Sequence, residues 1–62
     1  MNTSTVEYFA EDLVYWKHWV EHEEAALASC PDETKPYLEK RIAVGKRNIM
    51  EIEKALEVLN EQ

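Results

Sequence analysis

From Met1 to Cys30 the chain contains neither glycine nor proline, and beyond Pro36 it contains one glycine, Gly45, and no further proline. Neither stretch holds a residue that must end a helix. Proline removes an N–H and clashes with the preceding turn, whereas a lone glycine costs about 1 kcal/mol relative to alanine without stopping the helix. The two prolines fall together, and Ser29-Cys30-Pro31-Asp32-Glu33-Thr34 has turn chemistry. Pro36 is tolerable only in the first turn of a following helix, where its missing N–H has no partner anyway. At the other end, Ser4-Thr5-Val6-Glu7 fits the S-x-x-E capping box, in which hydroxyl and carboxylate reciprocally satisfy backbone N–H groups. The sequence thus predicts an all-α fold in a single domain, 1–62: helix 1 over about 4–29, a turn over about 30–34, and helix 2 over about 35–60 with Asn60 at its end.

Periodicity gives each helix a face. In the first, Val6, Phe9, Leu13, Trp16, Val20 and Leu27 recur three and four apart, with Glu23 interrupting. In the second, Leu38, Ile42, Gly45, Ile49, Ile52, Leu56 and Leu59 do the same. Two long helices joined by a short turn lie antiparallel, as a hairpin. Setting Leu27 opposite Leu38 then pairs Val20 with Gly45, Trp16 with Ile49, Leu13 with Ile52, Phe9 with Leu56 and Val6 with Leu59. The single glycine falls on the buried stripe beside two tryptophans, so it is expected to make room for the indole of Trp16 or Trp19.

A chain of 62 residues seldom builds a sufficient core without help, and one cysteine, Cys30, cannot close an intrachain disulfide. Oligomerisation is the remaining staple, and the sequence has the surface for it. Tyr8, Tyr15 and Trp19 on helix 1, with Tyr37, Val44, Met50, Ala55 and Val58 on helix 2, lie beside or outside the seam. The expected interface is Tyr8, Tyr15, Trp16, Trp19, Val44, Met50 and Val58, and the expected assembly is a homodimer, or a higher oligomer, with two hairpins making a four-helix bundle.

Thirteen acidic residues against seven basic ones give a net charge of −6. That balance opposes direct nucleic-acid binding and attraction to anionic membranes. The charge is also polar along the rod. The half nearest the termini sums to −5 and includes the acidic surface Glu7, Glu11, Asp12, Glu51, Glu53, Glu57 and Glu61; the half nearest the turn sums to −1, with Lys35, Lys40, Arg41, Lys46 and Arg47 offsetting six acids. An antiparallel dimer sets each acidic end near its partner's Lys46 and Arg47; the alternative is a solvated end that only keeps the protein soluble.

No constellation of residues demands catalysis. His18-Trp19-Val20-Glu21-His22 matches the letters H-x-x-E-H, and His18 and His22 share a helix face, so His18, Glu21 and His22 are weak metal candidates. A catalytic zinc also needs a third ligand and a walled cleft, so neither metal nor cofactor is expected and the protein is not expected to be an enzyme. Glu21, Glu23 and Glu24 face the part of helix 2 that bears Lys40, Arg41 and Lys46, which points to interhelical ion pairs rather than to acid/base chemistry. Cys30 is expected to be an exposed, inert turn thiol, with redox sensing or dimer cross-linking as the alternative. The aromatic residues lack the surrounding Lys and Arg of a base-stacking platform and suit a protein contact instead. Met1–Thr5 has neither the basic region nor the apolar run of a secretory signal, and no apolar run is long enough to span a membrane, so a cytoplasmic protein is expected.

Tyr8-Phe9-Ala10-Glu11-Asp12-Leu13-Val14-Tyr15-Trp16, followed by Pro31-Asp32-Glu33 and by Lys40-Arg41, resembles the small helical proteins of the exo–xis region of lambda-like phages. The resemblance rests on size, hairpin layout and an aromatic first helix, and covers nearly the whole chain. It implies an early phage product of the host cytoplasm that alters host or phage regulation through protein contacts, with no catalytic residues. The leading reading is a regulatory or adaptor protein whose dimer contacts another protein. Two others stand beside it: an acidic mimic of nucleic acid that blocks a DNA-binding protein, and a metal-binding helical protein using His18 and His22.

Overall fold

A computed structural model describes the backbone of residues 2–61 and the side chains of residues 5–61. Those residues form helix α1, Asn2–Ser29, a short 3-10 turn, Asp32–Thr34, and helix α2, Lys35–Asn60. The expected hairpin and its turn are present. One boundary differs: α1 begins at Asn2, so Ser4 stands inside the first turn and not at the cap. The Ser4 hydroxyl, on which the expected capping box depends, lies outside the described side chains.

Helix α1 stops where Pro31 follows Cys30, because a residue before proline is driven out of the helical region. Among the described residues the reversal uses no left-handed glycine and no other positive φ. The orphan carbonyls of α1 find a different partner. Lys35, the first residue of α2, donates its ammonium to the Leu27 carbonyl at 3.3 Å and to the Cys30 carbonyl at 3.4 Å. Its charge thereby sits on the negative end of the α1 dipole, whose own last turn holds no basic residue. The turn is closed by the Thr34 N–H donating to the Pro31 carbonyl at 3.0 Å, and Pro36 stands in the first turn of α2 as its missing donor requires. Cys30 departs from expectation: it is half-buried, and its thiol donates to the Leu27 carbonyl at 3.6 Å.

The helices pack antiparallel in the expected register. An alanine Cβ at Gly45 would stand 2.7 Å from Val20 Cγ2 and 2.7 Å from the Trp19 ring, so the glycine is what lets α2 approach that side chain and that indole. Of the two tryptophans considered, Trp19 is the one Gly45 accommodates. Three ion pairs also bridge the two helices: Lys17 with Glu53 at 3.7 Å, Glu24 with Lys46 at 3.2 Å, and Glu23 with Arg41.

Burial is uneven along the rod. Val20, Glu23, Leu38, Ile42 and Gly45 are buried, and all lie in the half nearest the turn. Toward the termini the stripe residues Val6, Phe9, Leu13, Ile52, Leu56 and Leu59 are only half-buried. The rod measures 47 × 14 × 12 Å, too thin for two helices to enclose large side chains from every side. No helix among the described residues is long and apolar enough to cross a membrane.

Candidate protein-interaction face

Residues seven apart return to nearly the same side of a helix, and those three or four apart lie beside them. On α1, Tyr8 and Tyr15 are seven apart and Trp19 follows four later. On α2, Tyr37, Val44, Glu51 and Val58 continue at intervals of seven. The hairpin turns both rows toward one side. A groove of about 330 Å³ between the helices is lined by Trp16 and Trp19 from α1 and by Tyr37, Lys40, Arg41 and Val44 from α2. A second hollow of about 280 Å³ continues toward the termini, between Phe9 and Trp16 on one side and Asn48, Glu51 and Ile52 on the other. Trp16 is the wall they share.

An aromatic ladder organises this face. Tyr15 meets Trp16 edge-on with centroids 5.4 Å apart, and Trp16 meets Trp19 edge-on at 5.2 Å, the arrangement that ring quadrupoles favour. The Arg41 guanidinium continues it, 5.1 Å from the Trp19 centroid and 5.6 Å from that of Tyr37. Its Nε donates to Glu23 Oε1 at 2.5 Å and its Nη1 to Tyr37 Oη at 3.4 Å. The Glu23 hydrogen bond, followed by that of Tyr37, raises the Arg41 pKa above arginine's ordinary value. Arg41 is therefore held as a cation, and its share of the pairing is lost only as the pH rises through that raised value.

Glu23 is the charged residue that interrupts the α1 stripe, and it is 8% exposed. The expected interhelical ion pair is present, and it is not a surface one: the carboxylate lies in the core and one charge-assisted hydrogen bond compensates it. Removing Arg41 leaves an uncompensated buried charge, whereas leucine at position 23 would complete the apolar stripe. Arg41→Ala is therefore expected to melt well below wild type, and adding Glu23→Leu to it is expected to recover most of the loss. Thermal denaturation of the two variants checks this, and a double variant no more stable than Arg41→Ala would remove the proposed role of the pair.

The large side chains on this face are wet. Tyr8 is 70% exposed, Tyr15 60%, Tyr37 61% and Val44 45%. Of the residues expected at an interface, Tyr8, Tyr15, Trp16, Trp19, Val44 and Val58 lie on this side of the rod. Met50 does not: it stands six residues after Val44, about 120° away round the helix. It is exposed on another side, as is Val14, which periodicity did not single out. Tyr37 and Arg41 prove central to the groove. The signal for them was present in sequence as an i, i+4 pair, but their juxtaposition with Trp19 depends on the interhelical stagger.

The seven residues of the expected acidic surface are all exposed, yet spacing distributes them around the terminal half of the rod. Asp12, four after Tyr8, and Glu51, seven after Val44, lie on the aromatic side. Glu53 and Glu57 follow Met50 at three and seven, on its side, and Glu7, seven before Val14, lies with that residue, while Glu11 and Glu61 also point to solvent. His18, Glu21 and His22 are exposed on α1 away from the seam. Among the described residues no three His, Cys, Asp or Glu side chains converge on a point where a metal would sit. Comparison with protein-family models, with curated proteins and with solved structures yields no match to this chain.

Proposed function

We propose that the protein is a non-enzymatic regulatory or adaptor protein, dimerising into a four-helix bundle through its aromatic face and contacting another protein with its acidic end. A small phage product acting on regulation in its host cell, as the resemblance to exo–xis region proteins implies, fits that role. The observation that carries the reading is the contrast between the two sides of the seam. Among the described residues only Val20, Leu38 and Ile42 are buried apolar side chains, while Tyr8, Tyr15, Tyr37, Val44 and Val58 are exposed on one side of the rod. Each large apolar side chain contributes roughly 1.5 to 3 kcal/mol when buried, so covering those five adds substantially to what the hairpin gains from its own small core.

With the aromatic side engaged, the terminal acids outside it remain for a second protein. Glu53 and Glu57, beside exposed Met50, supply a charged rim around an apolar point, which suits a basic, amphipathic partner. The spread of the acids over several sides favours this reading over a nucleic-acid mimic, which needs its charges in a phosphate-like row. Immobilised wild type is expected to retain a specific protein from host lysate, and Glu57→Lys, which leaves the Lys17–Glu53 pair intact, to lose it while keeping its helicity. Equal retention by the two chains, or retention by neither, defeats the adaptor role.

A further inference from the structure

The groove beside Trp19 has a shape and charge that a second copy of the same chain can fill, and this rests on the self-association proposed above. Val20 beside Gly45 fixes the levels of the two helices. Val44 then stands near the level of Glu21, Glu51 near that of Val14, and Val58 near that of Glu7. We infer that two copies pack face to face and antiparallel, about a two-fold axis crossing the rod at the level of Tyr15, so that Tyr8 of each copy enters the groove between Trp19, Tyr37, Arg41 and Val44 of the other.

Four observations on the face agree with that axis. Tyr15 lies near the middle of α1, so the overlap of the two rods is close to complete. Tyr8, seven residues before Tyr15, is carried to the level of the second copy's His22, where the groove opens; among the described residues it is the most exposed large apolar side chain. Val58 is carried to within two residues of the second copy's Val44, and Glu51 to within two residues of its Arg47, roughly 3 Å along the axis. The groove itself is apolar inside with Lys40 and Arg41 at its edge, which matches a tyrosine flanked by Glu11 and Asp12.

Charge selects this axis over its rival. A two-fold parallel to the rod also makes every neighbouring pair of helices antiparallel, but it sets the −5 end of one copy on the −5 end of the other. The crossing axis sets each −5 end on a −1 end that carries five cations. The area is adequate as well. A face of 47 by 14 Å covers roughly 650 Å² per copy, or roughly 1,300 Å² in all, within the range of specific interfaces.

Two full-length chains, Cys30→Ser/Tyr8→Cys and Cys30→Ser/Val44→Cys, mixed and treated with a short bis-maleimide, are expected to give the mixed cross-link as the dominant product. Glu51→Lys and Arg47→Glu are each expected to raise the dimer Kd about tenfold at low salt, and the double variant to return close to wild type. Tyr8→Cys joining itself in preference to the mixed product, or two single reversals without effect on a dimer that still forms, overturns the antiparallel seat and leaves self-association standing. A wild type that sediments as the 7.3 kDa chain at micromolar concentration overturns both.

Discussion

Gly45→Val is expected to destabilise the protein by about 3 kcal/mol, and Gly45→Ala by about 1 to 2, although alanine alone would stabilise an isolated helix by about 1. The sign reverses because of what the new atoms meet. The first carbon added at this position would stand 2.7 Å from Val20 Cγ2 and 2.7 and 2.9 Å from two atoms of the Trp19 ring. Neither neighbour yields easily. Val20 is buried, and the Trp19 ring is held between Trp16 and Arg41. The helices must separate, and the cost falls on the best-packed part of the rod. Urea denaturation of the two variants, with tryptophan fluorescence followed alongside helicity, checks the order valine below alanine below wild type. An alanine variant more stable than wild type would mean that Gly45 accommodates nothing.

The second large effect is expected at Ile42. It is 6% exposed, four residues after Leu38 and three before Gly45, on the buried stripe opposite Glu23. Ile42→Ala is expected to cost about 3 kcal/mol, through lost transfer energy and the cavity left behind, and to lower the melting temperature by roughly 12 to 24 °C. Ile49→Ala, two turns farther from the turn end at a half-buried position, is expected to cost clearly less. A domain of 62 residues has roughly 3 to 9 kcal/mol of stability in total, so the Ile42 change alone removes a large part of it. Equal effects at the two positions would show that the core is not concentrated toward the turn.

The helices, their turn and their register are legible in the sequence for a simple reason: they follow from local spacing. Apolar residues three and four apart, two prolines close together and a lone glycine on the stripe suffice to place Val20 beside Gly45. The start of α1 is less legible, because a capping box at Ser4 and a helix from Asn2 differ by only a fraction of a turn. What the sequence leaves open depends on distances between helices. Glu23 reads as a surface acid that interrupts a stripe; its burial becomes visible only when Arg41 is placed across from it. Lys35 reads as a turn lysine, and its capping of the α1 carbonyls follows from the way the chain reverses without glycine. Met50 is a different case, since its helical phase, six residues after Val44, already sets it apart from Val44 and Val58 in the sequence. Cys30, expected in solvent, is drawn in by the carbonyl of Leu27.

The central physical claim is that this hairpin exposes more apolar surface than its own core offsets, so that its folding is coupled to association. Thermal melting followed by helicity over a wide range of protein concentration tests it most directly, because a stability that includes assembly rises with concentration by mass action. The melting temperature is expected to climb steadily as the concentration is raised from low micromolar upward, and the helical signal to fade on dilution. A melting temperature independent of concentration, with full helicity retained in the dilute chain, would contradict the claim.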